Sequence, residues 1–218
     1  MVNAPARLLA EFIGTFTLMV LSIGAILSGS DITGIALAYG IAVFISISAF
    51  AHISGGMFNP AVTIAMWVTK RMKSIDALAF IVTQLIAGVF AAVVLKIGYG
   101  TYAQNIGTPT LAQPIKPVYG LLVEFIATFI LMMVIMGVVI DKRGSYATVA
   151  GLPVGLAVTA GVLFAGPLTG GAMNPARWFG SAIASGSYAN FWIWIVGPLA
   201  GAIAAAFLYD AVMKPAKK

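Results

Sequence analysis

The chain has no cysteine among its 218 residues, which excludes a disulfide, a thiolate nucleophile and a cysteine-held metal. Charge is nearly as scarce. Only 8% of residues are charged, against roughly 25% in an ordinary soluble domain, so the material for a water-facing surface is missing. With one histidine and six carboxylates, the sequence offers no nucleophile–base pair, no metal-ligand cluster and no phosphate loop of the Gly-Lys-Ser/Thr type. An enzyme is therefore not expected, nor a cofactor or metal. The net charge of +6 does not point to nucleic acid, because the basic residues form no patch with interleaved aromatics.

What is present is apolar: 61% of the chain is hydrophobic. Six runs lie near 6–28, 34–53, 76–98, 117–139, 147–165 and 190–213. Each is long enough to cross a hydrocarbon core of ~30 Å at 1.5 Å per residue. The first run lacks a small-residue cleavage site behind a short apolar core, so it is expected to be a retained membrane helix. Polar links at Ser28–Thr33, Lys70–Ser74, Tyr99–Pro117, Asp141–Tyr146 and Ser185–Asn190 separate the runs. No segment reads as a separate soluble domain; residues 1–218 form one unit. If the N-terminus is cytoplasmic, Arg7, Lys70, Arg71, Lys73, Lys142, Arg143, Lys214, Lys217 and Lys218 all fall on that side. Only Lys96, Lys116 and Arg177 do not, so the rule that places Lys and Arg inside puts both termini in the cytoplasm.

The halves are copies. "LLAEFIGTFTLMV" at 8–20 matches "LLVEFIATFILMM" at 121–133 in nine of thirteen positions, at an offset of 113. "AYGIAV" at 38–43 resembles "PVGLAV" at 153–158, and "QLIAG" at 84–88 resembles "GPLAG" at 197–201. The triplets Asn59–Pro60–Ala61 and Asn174–Pro175–Ala176 lie 115 apart. Repeats over about 6–98 and 117–213 each hold three crossings, an odd number, so the second must be inverted in the membrane. Inverted repeats place a functional site near the bilayer midplane, where interrupted helices meet.

The triplets look like helix starts, since asparagine favours the N-cap and proline the first helical position. The helical pattern then runs only to about Trp67 and Ala184, roughly ten residues or ~15 Å, half the bilayer core. The fold class is therefore all-α membrane protein: six transmembrane helices plus two half-helices, one dipping in from each side. Before each triplet, Gly55, Gly56, Gly170 and Gly171 allow extended backbone. At membrane depth such backbone must be buried in protein or line a water-filled cavity. The carbonyls of Gly55, Gly56, Met57, Phe58, Gly170, Ala172 and Met173 are expected to form a ladder of acceptors along a pore. Arg177 is the one basic residue deep in apolar sequence, a placement that costs at least ~2.5–3.5 kcal/mol on insertion scales. Its five donors suit the orientation of solute oxygens, and its charge opposes cations.

Six helices, an inverted repeat, two Asn-Pro-Ala boxes, the arginine after the second box and a glutamate in the first and fourth helices resemble the aquaporin and glycerol-facilitator (major intrinsic protein) family. The resemblance covers nearly the whole chain. It implies a homotetramer with a pore in each subunit, located in the cell membrane and carrying water and small neutral solutes such as glycerol. It also implies that Asn59 and Asn174 cap their helices through the amide oxygen and donate from the NH₂ to passing water. Arg177 would belong to an aromatic/arginine filter. Matched by distance from the boxes, its companions are Tyr39, Val162 and Gly171. In the family, strict water channels usually carry histidine where Val162 stands, and glycerol facilitators usually carry two aromatics and a glycine. Valine and glycine here imply an opening wider and more apolar on one side than a strict water pore.

Glu11 and Glu124 occupy equivalent places in the repeat. They read either as a proton relay or as acceptors for the N–H groups of the half-loops, the role the family implies. His52 precedes the first half-loop and reads as a loop brace, a pore-lining residue or a pH gate. The pairs Gly151/Gly155 and Gly197/Gly201 mark close helix packing. Two functions stay open beside a water channel: a small-solute facilitator, and an ion-coupled transporter, which would need an ionisable site at the midplane.

Overall fold

A computed structural model describes residues 3–143 and 149–213. The described residues form helices joined by loops: α1 Ala4–Leu27, α2 Ile32–Ser54, α3 Pro60–Val68, α4 Ser74–Tyr99, α5 Pro117–Ile135, α6 Gly151–Thr169, α7 Pro175–Ser185 and α8 Ile193–Leu208. Short π turns, Met136–Ile140 and Tyr209–Met213, prolong α5 and α8. Six of these helices are long and apolar enough to span a membrane. The other two, α3 and α7, have nine and eleven residues, about 14 and 16 Å of helix. Tyr146, Lys214, Lys217 and Lys218, used above for the links and the orientation, lie outside the described residues.

Helix ends follow local chemistry. Asn3 caps α1 through the Ala6 N–H, with proline in the first turn, and Asp31 caps α2 through the Gly34 N–H at 2.8 Å. The largest departure from the sequence reading is α6, expected over 147–165 and found at Gly151–Thr169. Pro167 sits inside the helix, which stops at Gly170 with φ +83°. Proline this close to a C-terminus removes only one bond of the ladder.

The repeat meets itself at a glycine pair. A Cβ added to Gly40 of α2 would lie 2.5 Å from the Gly155 carbonyl of α6, and one added to Gly155 would lie 2.5 Å from the Gly40 carbonyl. The two positions are equivalent in the repeat, so the backbones cross where each copy lacks a side chain. Gly197 and Gly201 let α8 approach α5 in the same way, with Leu121 and Phe125 carbonyls 3.0 and 2.3 Å from the missing Cβ atoms. Outward faces carry Leu9, Ile41, Ile86, Leu122 and Leu156, all exposed, as expected of helices solvated by lipid.

One end of the bundle, which carries the first residues of α1 and the end of α8, is tied by ion pairs. Arg7 meets Asp76 at 3.2 Å and Arg71 meets Asp210 at 2.6 Å. Arg143 grips Asp141 and donates to the Met213 carbonyl at 2.6 Å. The Asp141 carboxyl is held well below the usual carboxylate range, chiefly by its hydrogen bonds from Arg143.

Candidate functional site

Both half-helices start alike. Asn59 and Asn174 are extended, at φ −152° and −150°, and each Oδ1 accepts a backbone N–H at 2.9 Å, from Ala61 and Ala176. Each Nδ2 then reaches the other copy. Asn59 donates to the Met173 carbonyl at 2.8 Å, and Asn174 to the Phe58 carbonyl at 3.0 Å. Phe58 and Met173, which supply those carbonyls, both hold φ +50°, a region that non-glycine residues rarely occupy. The expectation that each NH₂ donates to passing water takes in only part of its bonding. One N–H of each amide clamps the opposite loop, and the second is left for the cavity that both asparagines line.

Two carboxylates hold the loops. Glu11 Oε1 accepts from Ser54 Oγ at 2.6 Å and the Met57 N–H at 3.0 Å, while Oε2 accepts from the Phe58 N–H and Gln84 Nε2, both at 2.8 Å. Glu124 repeats the pattern with Thr169 Oγ1 at 2.6 Å, the Ala172 N–H at 3.0 Å and the Met173 N–H at 2.8 Å. Ser54 and Thr169 are equivalent in the repeat, as are Met57 and Ala172. The fourth donor is not copied. Gly197 stands where the repeat aligns with Gln84, and a Cβ there would come within 2.9 Å of Glu124 Cβ. The second loop gains a different support, Trp194 Nε1 donating to the Thr169 carbonyl at 3.0 Å, with Trp194 stacked on Trp178. Ser54, Thr169, Gln84 and Trp194 were missed in the sequence. The 115-residue offset could have found the two hydroxyls, whereas no local signal marks Gln84 or Trp194.

Near Arg177 the predicted filter residues come together unevenly. Arg177 is 1% exposed. Its Nη1 donates to the Gly107 carbonyl at 2.6 Å, and its buried Nε has no hydrogen-bond partner among the described residues. Tyr39 donates its hydroxyl proton to the Ala172 carbonyl at 2.9 Å. Val162 is buried beside a cavity that Arg177 also lines. Gly171 departs from expectation. A Cβ built there would press on α6, 3.1 Å from Gly166 N and 3.3 Å from Val162 Cα, and its φ is +58°. Its lack of a side chain answers the approach of α6 and the left-handed backbone, so it does not widen the opening as the sequence suggested.

His52 is exposed and makes no hydrogen bond to the loop among the described residues; the bracing falls to Ser54 instead. His52 lines a cavity of about 260 Å³ with Gly55, Gly56 and Met57, on the side where α3 ends. A cavity of about 310 Å³ opens on the other side, lined by Gly107, Val162, Gly170 and Arg177. Between them lies a narrow space of about 40 Å³, bounded by Tyr39, Gly56, Met57, Phe58, Asn59, Ala172, Met173 and Asn174. It has room for about three waters at ~10–15 Å³ each. Its remaining walls are Leu, Val and Ile. Three carbonyls of the expected ladder, those of Phe58, Ala172 and Met173, already accept a protein donor. Each keeps a second lone pair.

Comparison with known proteins agrees across the chain. The family model described as major intrinsic protein matches residues 2–209. Aquaporin NIP1-1 of Zea mays is 38% identical over 214 residues, covering 94% of this chain and 74% of the relative. The glycerol uptake facilitator protein-like 6 of Lactiplantibacillus plantarum is 38% identical over 208 residues, covering 92% and 95%. Among solved structures, the aquaglyceroporin from Plasmodium falciparum superposes with a TM-score of 0.87 at 28% identity, over 97% of both chains.

Proposed function

The chain belongs to the major intrinsic protein family, and from that premise we propose that it is a passive channel carrying mainly water and, more slowly, glycerol or similar small neutral solutes. The observation that carries this reading is the narrow space between two wide cavities, with Asn59 and Asn174 in its wall. A water there accepts the free N–H of each asparagine. Both its lone pairs are then occupied, so it cannot also accept from the next water, and the proton wire is interrupted. The N-termini of α3 and α7, each carrying about half a positive charge, meet at the same point and oppose protons and cations. Arg177 adds a full charge toward one mouth.

Two features support solute passage beside water: Val162 is apolar and carries no hydrogen-bonding group, and the narrow space has aliphatic walls. The fixed carboxylates argue against ion coupling. Glu11 and Glu124 are engaged by loop N–H groups, a hydroxyl each and, for Glu11, the Gln84 amide, and among the described residues no carboxylate or histidine lines the narrow space. We place the chain in the cell membrane as a homotetramer, with both termini cytoplasmic on the basis of the Lys and Arg asymmetry.

The test is stopped-flow light scattering on liposomes holding the purified protein. Water permeability should rise with a low activation barrier, proton permeability should match that of empty liposomes, and glycerol should enter measurably without any ion gradient. Transport that requires an ion gradient would support a carrier instead.

A further inference from the structure

The narrow space shares part of its wall with one of its two neighbours. Among the described residues, none that lines the Arg177 cavity also lines the narrow space, whereas six line both the narrow space and the wide cavity beside His52. They are Ile47 of α2, Val62 of α3, Ile135 at the end of α5, Val154 of α6, and Gly56 and Met57 of the first half-loop. Passage between the two spaces runs past this ring. Its side chains carry no hydrogen-bond donor. The N–H groups of Gly56 and Met57 are already given to Ser54 Oγ and Glu11 Oε1, each at 3.0 Å. A constriction of this kind resists wetting.

Four side chains of the ring are stiff and one is not. Ile47, Val62, Ile135 and Val154 are β-branched residues on helices, where χ1 has one strongly preferred setting. Met57 is unbranched, with three rotatable bonds, and the bond to Glu11 holds its backbone rather than its side chain. Its methyl lies 3.0 Å from where a Gly55 Cβ would stand, and Gly55 lines the wide cavity, so the side chain is folded back toward that side. The second copy has no counterpart, since Ala172 stands at the equivalent position and is fully buried. The ring therefore belongs to one mouth alone.

We infer that Met57 governs a second constriction, on the side where α3 ends, which selects permeants by how few polar groups they must strip of water. Aliphatic walls accommodate a carbon chain but not the hydroxyl groups on it. A solute with several hydroxyls must bring each one past side chains that give it no hydrogen bond, and every unmade bond costs free energy. Water crosses as a single small molecule. The ring therefore slows polyols relative to water independently of the wall near Arg177, and the room that Met57 leaves sets by how much. This inference rests on the channel reading and names a specificity-determining residue of the same pore.

The test compares Met57→Ala and Met57→Phe with the wild-type full chain in liposomes, each preparation measured for water, glycerol and proton permeability above empty liposomes. Alanine removes the thioether from the ring, so a glycerol hydroxyl can cross still bonded to a water. The glycerol-to-water permeability ratio should rise about 3- to 10-fold, the worth of one hydrogen bond of ordinary net strength. Phenylalanine fills the ring, and the ratio should fall. Proton permeability should stay at the level of empty liposomes, because the Met57 side chain takes no part in the asparagine clamp. A ratio that moves in neither variant, or in the same direction in both, overturns the inference. So does proton leakage in the alanine variant, which would mean that the half-loop itself had shifted. The two variants push the ratio in opposite directions, so one that fails to fold leaves the other to decide. If neither folds, Met57 is a structural support and the inference fails. Wild-type protein that raises water permeability while these ratios stay fixed defeats this inference alone. A wild-type protein that passes neither water nor glycerol defeats the channel reading itself.

Discussion

Replacing Glu124 with alanine should uncouple the second half-loop from the bundle. Glu124 is fully buried and accepts three donors. Thr169 Oγ1 has a second acceptor, the Ala165 carbonyl at 3.1 Å, so it can re-aim at little cost. The Ala172 and Met173 N–H groups have no such alternative, and Met173 already sits at a strained φ of +50°. Each orphaned buried donor costs about 1–3 kcal/mol, so the two together cost about 2–6 kcal/mol. At this chain length that corresponds to a drop of very roughly 5–20 °C in melting temperature. The loss also releases the Met173 carbonyl, which holds Asn59 Nδ2, so water flux should fall sharply in parallel. Thermal unfolding in detergent, followed by fluorescence-detected gel filtration, measures the first effect, and stopped-flow shrinkage of liposomes the second. Trp194→Phe removes a single hydrogen bond to the same loop and should cost markedly less. A Glu124→Ala protein with wild-type melting and wild-type water flux would refute the bracing role and reopen the proton-relay reading.

Three further outcomes follow from particular residues. Mercury salts should leave water flux unchanged at doses that spare the liposomes, because the chain has no thiol; a specific, thiol-reversible block would contradict this. Val162→His should put a hydrogen-bonding wall into the opening and reduce glycerol flux more than water flux in the same liposomes, and equal losses of the two would count against the reading of a wide, apolar filter. The Arg143–Asp141 contact should be insensitive to pH between 5 and 8. Because Asp141 has a folded-state pKa depressed below its unfolded value, its contribution is complete above the ordinary carboxylate range and disappears only as pH falls through the lower folded value. The difference in melting between wild type and Asp141→Asn should therefore be constant from pH 5 to 8, and a difference that shrinks at pH 5 would refute the assignment.

How much of this was legible in the sequence depended on whether a signal was local or repeated. The six spans are long apolar runs, and the half-helices announce themselves by asparagine and proline in positions that have only one good use. Their ends were predicted to within about a residue because Thr69 and Gly186 follow where the apolar pattern stops. Glu11 and Glu124 could be found because each is a carboxylate in apolar sequence and because the repeat doubles the signal. Errors arose where the repeat is broken or where partners come from unrelated segments. Gln84 serves the first loop alone, since its counterpart Gly197 is needed for the α5–α8 approach, and Trp194 takes over support from another position. The Gly107 carbonyl that anchors Arg177 lies in a link with no periodicity, 70 residues away. Gly171 misled for a different reason. A glycine in a sequence shows that a side chain is absent, but not which neighbour requires the space. Here the neighbour is α6. The two copies meet there through a hydrogen bond, from the Tyr39 hydroxyl of the first to the Ala172 carbonyl of the second. Neither copy alone contains that contact: the filter positions are expected from the family resemblance, whereas the bond from Tyr39 to the Ala172 carbonyl joins segments 133 residues apart.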